Sequence, residues 1–188
     1  MTRAHHANRH ELAEAWPSIR LAPRDHGRVE LIVRRPGIGL REVLDEATLD
    51  PEVGLVGDDW KVRGCGRTED GSAHPGMQIA ITSARAIAAV ARERSRWALA
   101  GDQLFLDLDL SEENLPAGTR LVIGSAVLEI TGLPHNGCKK FLDRFGMDAI
   151  RFLASPEGRA RRLRGIYARV VAHGVVRTGD EVRRVPAL

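Results

Sequence analysis

Hydrophobic and polar positions alternate most regularly in residues 104–110, where Leu104, Leu106, Leu108 and Leu110 fall on one side and Asp107 and Asp109 on the other. A period of two sends successive side chains to opposite faces, so this stretch predicts a half-buried strand with a solvated aspartate edge. Residues 28–34 alternate in the same way and are stopped by Pro36 and Gly37, and residues 78–81 predict a buried strand. Residues 119–123 and 126–131 flank Gly124-Ser125, the spacing of a hairpin with a two-residue Gly-X turn. After residue 165 the chain runs in short apolar segments separated by Gly174 and Gly179, a rhythm that predicts a barrel or curled sheet.

Elsewhere the period is helical. Ser83 is placed to cap a helix running through Arg96, with Ile87, Val90 and Ala91 on one face. Residues 139–154 carry Phe141, Phe145, Ala149 and Phe152 on one stripe, which predicts a helix packed on the sheet. Residues 40–49 read as a short acidic helix or turn closed by Pro51, and residues 64–76 as a glycine-rich surface loop holding Cys65 and His74. Residues 1–26, rich in His, Arg and Asn at their start, are expected to be a solvated tail with at most a turn or two of helix near Trp16. The expected division is thus an appendage at 1–26 and one domain at 27–188, in a mainly β, α+β class.

Composition narrows the partners. With 188 residues and 43% hydrophobic content the chain can bury a core, and no segment resembles a secretory leader or a membrane span, so a cytoplasmic protein is predicted. A net charge of +3 is too balanced for nucleic acid to be the expected partner. Motifs for a P-loop, a dinucleotide fold, a zinc protease and a hydrolase elbow are all missing. Two cysteines 73 positions apart, without a CxxC pair, form neither a disulfide framework nor a structural zinc site.

Chemistry concentrates in residues 133–141, Leu-Pro-His-Asn-Gly-Cys-Lys-Lys-Phe. Cys138 follows the predicted second hairpin strand, precedes the predicted helix, and adjoins Lys139 and Lys140, two of only three lysines in the chain. Neighbouring cations and a helix beginning both favour the thiolate, the nucleophilic and metal-binding form. Residues 159–164 add four arginines, side chains suited to gripping phosphate.

In order along the chain, Gly27-Arg28-Val29-Glu30, Gly54-Leu55-Val56-Gly57-Asp58, Asn114-Leu115, the hairpin leading to Cys138, and Arg164-Gly165-Ile166-Tyr167-Ala168-Arg169-Val170 with Gly174 and Gly179-Asp180 resemble the MOSC domain, the C-terminal module of molybdenum-cofactor sulfurases. That resemblance implies a MOSC-type β-barrel with a few peripheral helices, and a Cys138 that ligates molybdenum or carries sulfur as a persulfide. It further implies a molybdopterin site drawing on Lys139, Lys140, His135, Asn136, Arg164, Asp58 and Asn114. Asp59-Trp60 departs from the family, where many relatives carry His after the Gly-Asp pair. The implied activity is molybdenum-dependent reduction of an N-hydroxylated small-molecule substrate with a separate redox partner. The alternative is a sulfur carrier, or cofactor-binding module, served by a separate pyridoxal-phosphate desulfurase, since no pyridoxal-phosphate site is evident in the sequence.

Overall fold

A computed structural model describes residues 6–136 and 139–185. In chain order the elements are α1 (Arg9–Ala13), α2 (Trp16–Arg20), β1 (His26–Arg34), β2 (Glu42–Leu44), β3 (Glu46–Asp50), β4 (Gly54–Leu55) and α3 (Trp60–Arg63). Then follow β5 (Ile79–Ser83), α4 (Ala84–Ala91), a 3-10 segment at Arg94–Ala100, β6 (Leu104–Asp107), β7 (Arg120–Ile123) and β8 (Ala126–Ile130). The chain continues through α5 (Lys139–Phe145), α6 (Met147–Leu153), α7 (Pro156–Ala160), β9 (Ile166–Ala172), β10 (Gly174–Arg177) and β11 (Glu181–Val185).

Seven strands close a barrel in the order β11-β7-β8-β9-β5-β6-β1, sealed by antiparallel pairing of β1 with β11. Closure removes the sheet edges that would otherwise invite pairing with other chains. Outside the ring β2 pairs on β1, and β10, β3 and β4 form a second small sheet. β5 and β6 are parallel, which requires a crossover, supplied by α4 and the 3-10 segment.

The strict alternation of residues 104–110 sorts two cores. Leu104, Leu106, Leu108 and Leu110 enter the barrel interior with Val29, Ile79, Ile81, Leu121, Leu128 and Val182. Phe105 points outward into a second core, where Phe141, Phe145, Ala149 and Phe152 meet Ile87, Val90 and Trp97. The phenylalanine stripe is therefore core, as its spacing predicts. Asp107 does not line a free edge, because Arg85 grips it at 2.5 Å.

Four expectations are corrected. Residues 40–49 are strands rather than a helix or turn: Ala47 and Leu49 alternate inward while β3 pairs with the distant β10. The predicted helix at 139–154 is two helices, broken at Gly146, whose φ of +86° no helical residue adopts. The helix capped by Ser83 ends at Ala91 instead of reaching Arg96, since Arg92 turns to φ +65°. Residues 6–21 are not a solvated tail; Leu12, Trp16 and Ile19, at helical spacing, pack into the second core, and Trp16 meets Phe152 at 4.6 Å between ring centroids. Asn8 starts α1 with a complete capping box to Glu11.

Candidate functional site

The hairpin carries the chain to the site. Beyond β8, Thr131 is fixed twice: its N–H donates to Tyr167 O at 2.9 Å and its hydroxyl to Gly76 O at 2.7 Å. Held there, residues 132–136 run along the mouth of a cavity of about 580 Å³, within the roughly 300–1,000 Å³ range of small-molecule sites. Its opposite walls come from α6, α7 and the segment entering β9, including Arg159, Arg162, Arg164 and Gly165. Leu133, Pro134, Ile150, Leu153 and Ile166 make part of the lining apolar.

At the inner wall His135 and Arg164 converge on one carboxylate. Asp102 is wholly buried, and Arg164 Nη1 donates to its Oδ1 and Oδ2 at 3.0 and 2.9 Å. His135 Nε2 approaches Asp102 Oδ1 at 3.5 Å, while its ring lies 4.3 Å from that of Tyr167. Burial raises the Asp102 pKa even though Arg164, Arg35 and Arg41 oppose it. Burial, followed by Arg164, Arg35 and Arg67, holds the His135 pKa well below its ordinary value, so the imidazole is neutral at pH 7. Arg164 also lies over the Phe141 ring at 4.8 Å, tying this wall to the second core.

Two nitrogens here, His135 Nδ1 and Arg164 Nε, are buried without a hydrogen-bond partner among the described residues. A buried polar group left unpaired costs about 1–3 kcal/mol, and native proteins tolerate few of them outside functional sites. Gly165 allows the close approach. At φ +116° its bare Cα faces Ile81 O and His135 Nδ1, and a Cβ there would stand 2.2 and 2.9 Å from them.

The structure brings together some of the predicted site residues. His135, Asn136 and Arg164 line one cavity, Asn136 exposed at its mouth. Lys139 and Lys140 are exposed at the start of α5, and Cys138 lies outside the described residues. Asp58 is engaged elsewhere: its side chain, fully buried, is gripped by Arg35 Nε and Nη2 at 2.8 and 2.7 Å and accepts from the Arg35 and Trp60 N–H groups. Asn114, also buried, donates to the carbonyls of Arg24 and Asp109 at 2.8 Å each and fastens the loop ahead of β7.

Sequence reading missed Asp102, Arg159 and Arg162. Asp102 sits 62 positions from its partner Arg164, and the available signal, one acid between Gly101 and an apolar strand, is shared by many structural turns. Arg159 and Arg162 belong to an arginine run that was visible, but only the fold separates their roles. Arg161 closes on Glu157 and Arg162 on Leu115 O, whereas Arg159 has no side-chain partner among the described residues. Among those residues no cluster of His, Cys, Asp and Glu can hold a metal ion, and no helix is long and apolar enough to cross a membrane.

The model of the MOSC domain family matches residues 68–183. No curated protein sequence matches the chain. Among solved structures, the YuaD protein of Bacillus subtilis superposes with a TM-score of 0.64 at 19% identity, covering 87% of this chain and 97% of its own. YiiM from Geobacillus stearothermophilus gives 0.58 at 15% identity over 85% of this chain and 75% of its own. YiiM from Escherichia coli gives 0.53 at 22% identity over 86% and 71%. At these identities the structural likeness speaks for the barrel fold.

Proposed function

Because this chain belongs to the MOSC domain family, we propose that its cavity binds molybdenum cofactor through Cys138 and that the protein reduces N-hydroxylated compounds. The observation that carries this reading is the cavity itself, of about 580 Å³, walled by the segment that leads directly into Cys138 and by three arginines. Its residues fit such a group. Arg159 offers an uncommitted fork for a phosphate, the apolar wall suits a flat ring, and the orphaned Nδ1 of His135 and Nε of Arg164 offer one acceptor and one donor. A thiolate is a soft ligand of the kind molybdenum accepts. When bound, the cofactor supplies two-electron chemistry able to remove oxygen from an N–O bond.

The chain's own contribution is positional. Asp102 and Arg164 fix the inner wall, and burial keeps His135 uncharged, so its ring accepts or donates a hydrogen bond without adding charge to the cavity. Lys139 and Lys140, exposed at the start of α5, directly follow Cys138 in the sequence, and neighbouring cations favour a thiolate. Electrons would come from a separate redox partner.

The test is expression in hosts able and unable to make molybdenum cofactor, followed by elemental analysis and an amidoxime-reduction assay with a chemical electron donor. About one molybdenum per chain, lost in Cys138→Ala and reduced in Arg159→Ala, is expected. Metal-free protein bearing a cyanide-labile sulfur on Cys138 would establish the sulfur-carrier reading instead. Wild type and Cys138→Ala that are alike in both measurements would refute both.

A further inference from the structure

The turn at residues 99–102, between the 3-10 segment and β6, gathers arginines on its backbone carbonyls. Arg144 Nη1 donates to Leu99 O at 2.6 Å, Arg164 Nη2 to Ala100 O at 3.4 Å, and Arg35 Nη1 to Gly101 O at 3.1 Å. Arg41 joins them: its Nη2 lies 3.4 Å, and Arg144 Nη1 3.9 Å, from the point where a Cβ on Gly101 would sit. Glycine leaves that point bare, at φ +88°.

The charges at this turn do not balance. Arg35 is neutralised by Asp58 and Arg164 by Asp102. Among the described residues neither Arg41 nor Arg144 has a carboxylate within ion-pair distance; the Asp59 charge acts on Arg41 from farther off and is itself paired with Arg63. Among the described residues Arg41 donates to the carbonyl of its neighbour Leu40 alone, and its buried Nε has no partner. Burial, followed by the like charges of Arg144 and Arg35, draws the Arg41 pKa down, and Asp59 only partly opposes them. Both side chains are half-buried, where charge is screened less than at the open surface.

We propose that Arg41 and Arg144, whose guanidinium nitrogens both lie within 4 Å of the bare position beside the Cα of Gly101, form a seat for the oxyanion of a phosphate monoester. Two unmatched guanidinium charges call for a dianion, which a carboxylate does not supply, and the Arg fork matches tetrahedral phosphate oxygens bidentately. The seat uses neither Cys138 nor Arg159, so it stands or falls separately from the cofactor reading. The phosphate can belong to the cofactor or to a separate phosphorylated molecule, and the experiment separates these sources.

Cofactor-free full chain is titrated with inorganic phosphate by calorimetry, against chloride at matched ionic strength. The expected result is saturable binding that weakens at least ten-fold in Arg41→Gln and in Arg144→Gln, and is retained in Arg177→Gln on β10. Arg41→Gln, which relieves repulsion, is expected to melt no lower than wild type in phosphate-free buffer, so that lost binding is not lost folding. Absence of binding by wild type, or equal binding by wild type and both variants, overturns the proposal. The same titration on chain purified from a cofactor-producing host then assigns the source. Blocked binding identifies the cofactor's own phosphate, and unchanged binding identifies a second phosphorylated ligand.

Discussion

Replacing Asp58 by alanine is expected to destabilise the protein by about 3–5 kcal/mol, the cost of leaving a buried charge without its partner. The Asp58 side chain is 0% exposed and that of Arg35 is 8% exposed, so water cannot take over the lost contacts. Oδ2 accepts from the Arg35 N–H at 2.9 Å and from Nε at 2.8 Å, while Oδ1 accepts from Nη2 at 2.7 Å and from the Trp60 N–H at 3.0 Å. Alanine removes these contacts together with a longer one at 3.4 Å from Gln103 Nε2 to Oδ1, and strands a guanidinium and two backbone donors. For a chain of this length each kcal/mol moves Tm by roughly 2–4 °C, so a fall of about 6–20 °C follows. Urea unfolding followed by circular dichroism should show a lower midpoint with an unchanged m-value. Adding Arg35→Met should recover part of the loss, because the uncompensated charge goes with the arginine. A loss below about 1 kcal/mol, accompanied by loss of bound molybdenum, would refute this reasoning and return Asp58 to the cofactor-binding set the sequence suggested.

Two further outcomes are expected. Glu157, held by Arg20 on α2 and Arg161 on α7, has its pKa lowered from 4.5 to about 2, chiefly by the Arg20 hydrogen bond. A depressed carboxylate stabilises the fold above its unfolded pKa, so Glu157→Gln should be less stable than wild type at pH 7, with the gap closing as pH falls from 4.5 to 2 in a series of thermal melts. Gly165→Ala would set a Cβ 2.2 Å from Ile81 O at a φ of +116°, so a loss of at least ~2 kcal/mol in urea unfolding is expected, and wild-type stability would contradict the close approach described beside His135.

What the chain determined by itself is whatever depends on neighbours in sequence. The leucine alternation at 104–110 and the two-residue turn at Gly124-Ser125 appear as their local patterns require, and the phenylalanine stripe reaches the second core although Gly146 divides its helix in two. Leu12, Trp16 and Ile19 carried a helical period too, legible in hindsight, yet a segment so short earns its helix only by docking on the second core. The strands at 42–50 were hidden because β3 is held by β10, more than 120 positions away, and a three-residue β2 has too little pattern of its own. The family, the cysteine and the arginine-rich run were visible as residues. Only the closed barrel decided that Asp102 meets Arg164 and His135, that Asp58 is a counter-ion for Arg35, and that Arg41 and Arg144 flank a bare glycine without a carboxylate between them. Charge pairing acts through distances across space, and those distances do not exist until the strands have chosen their neighbours.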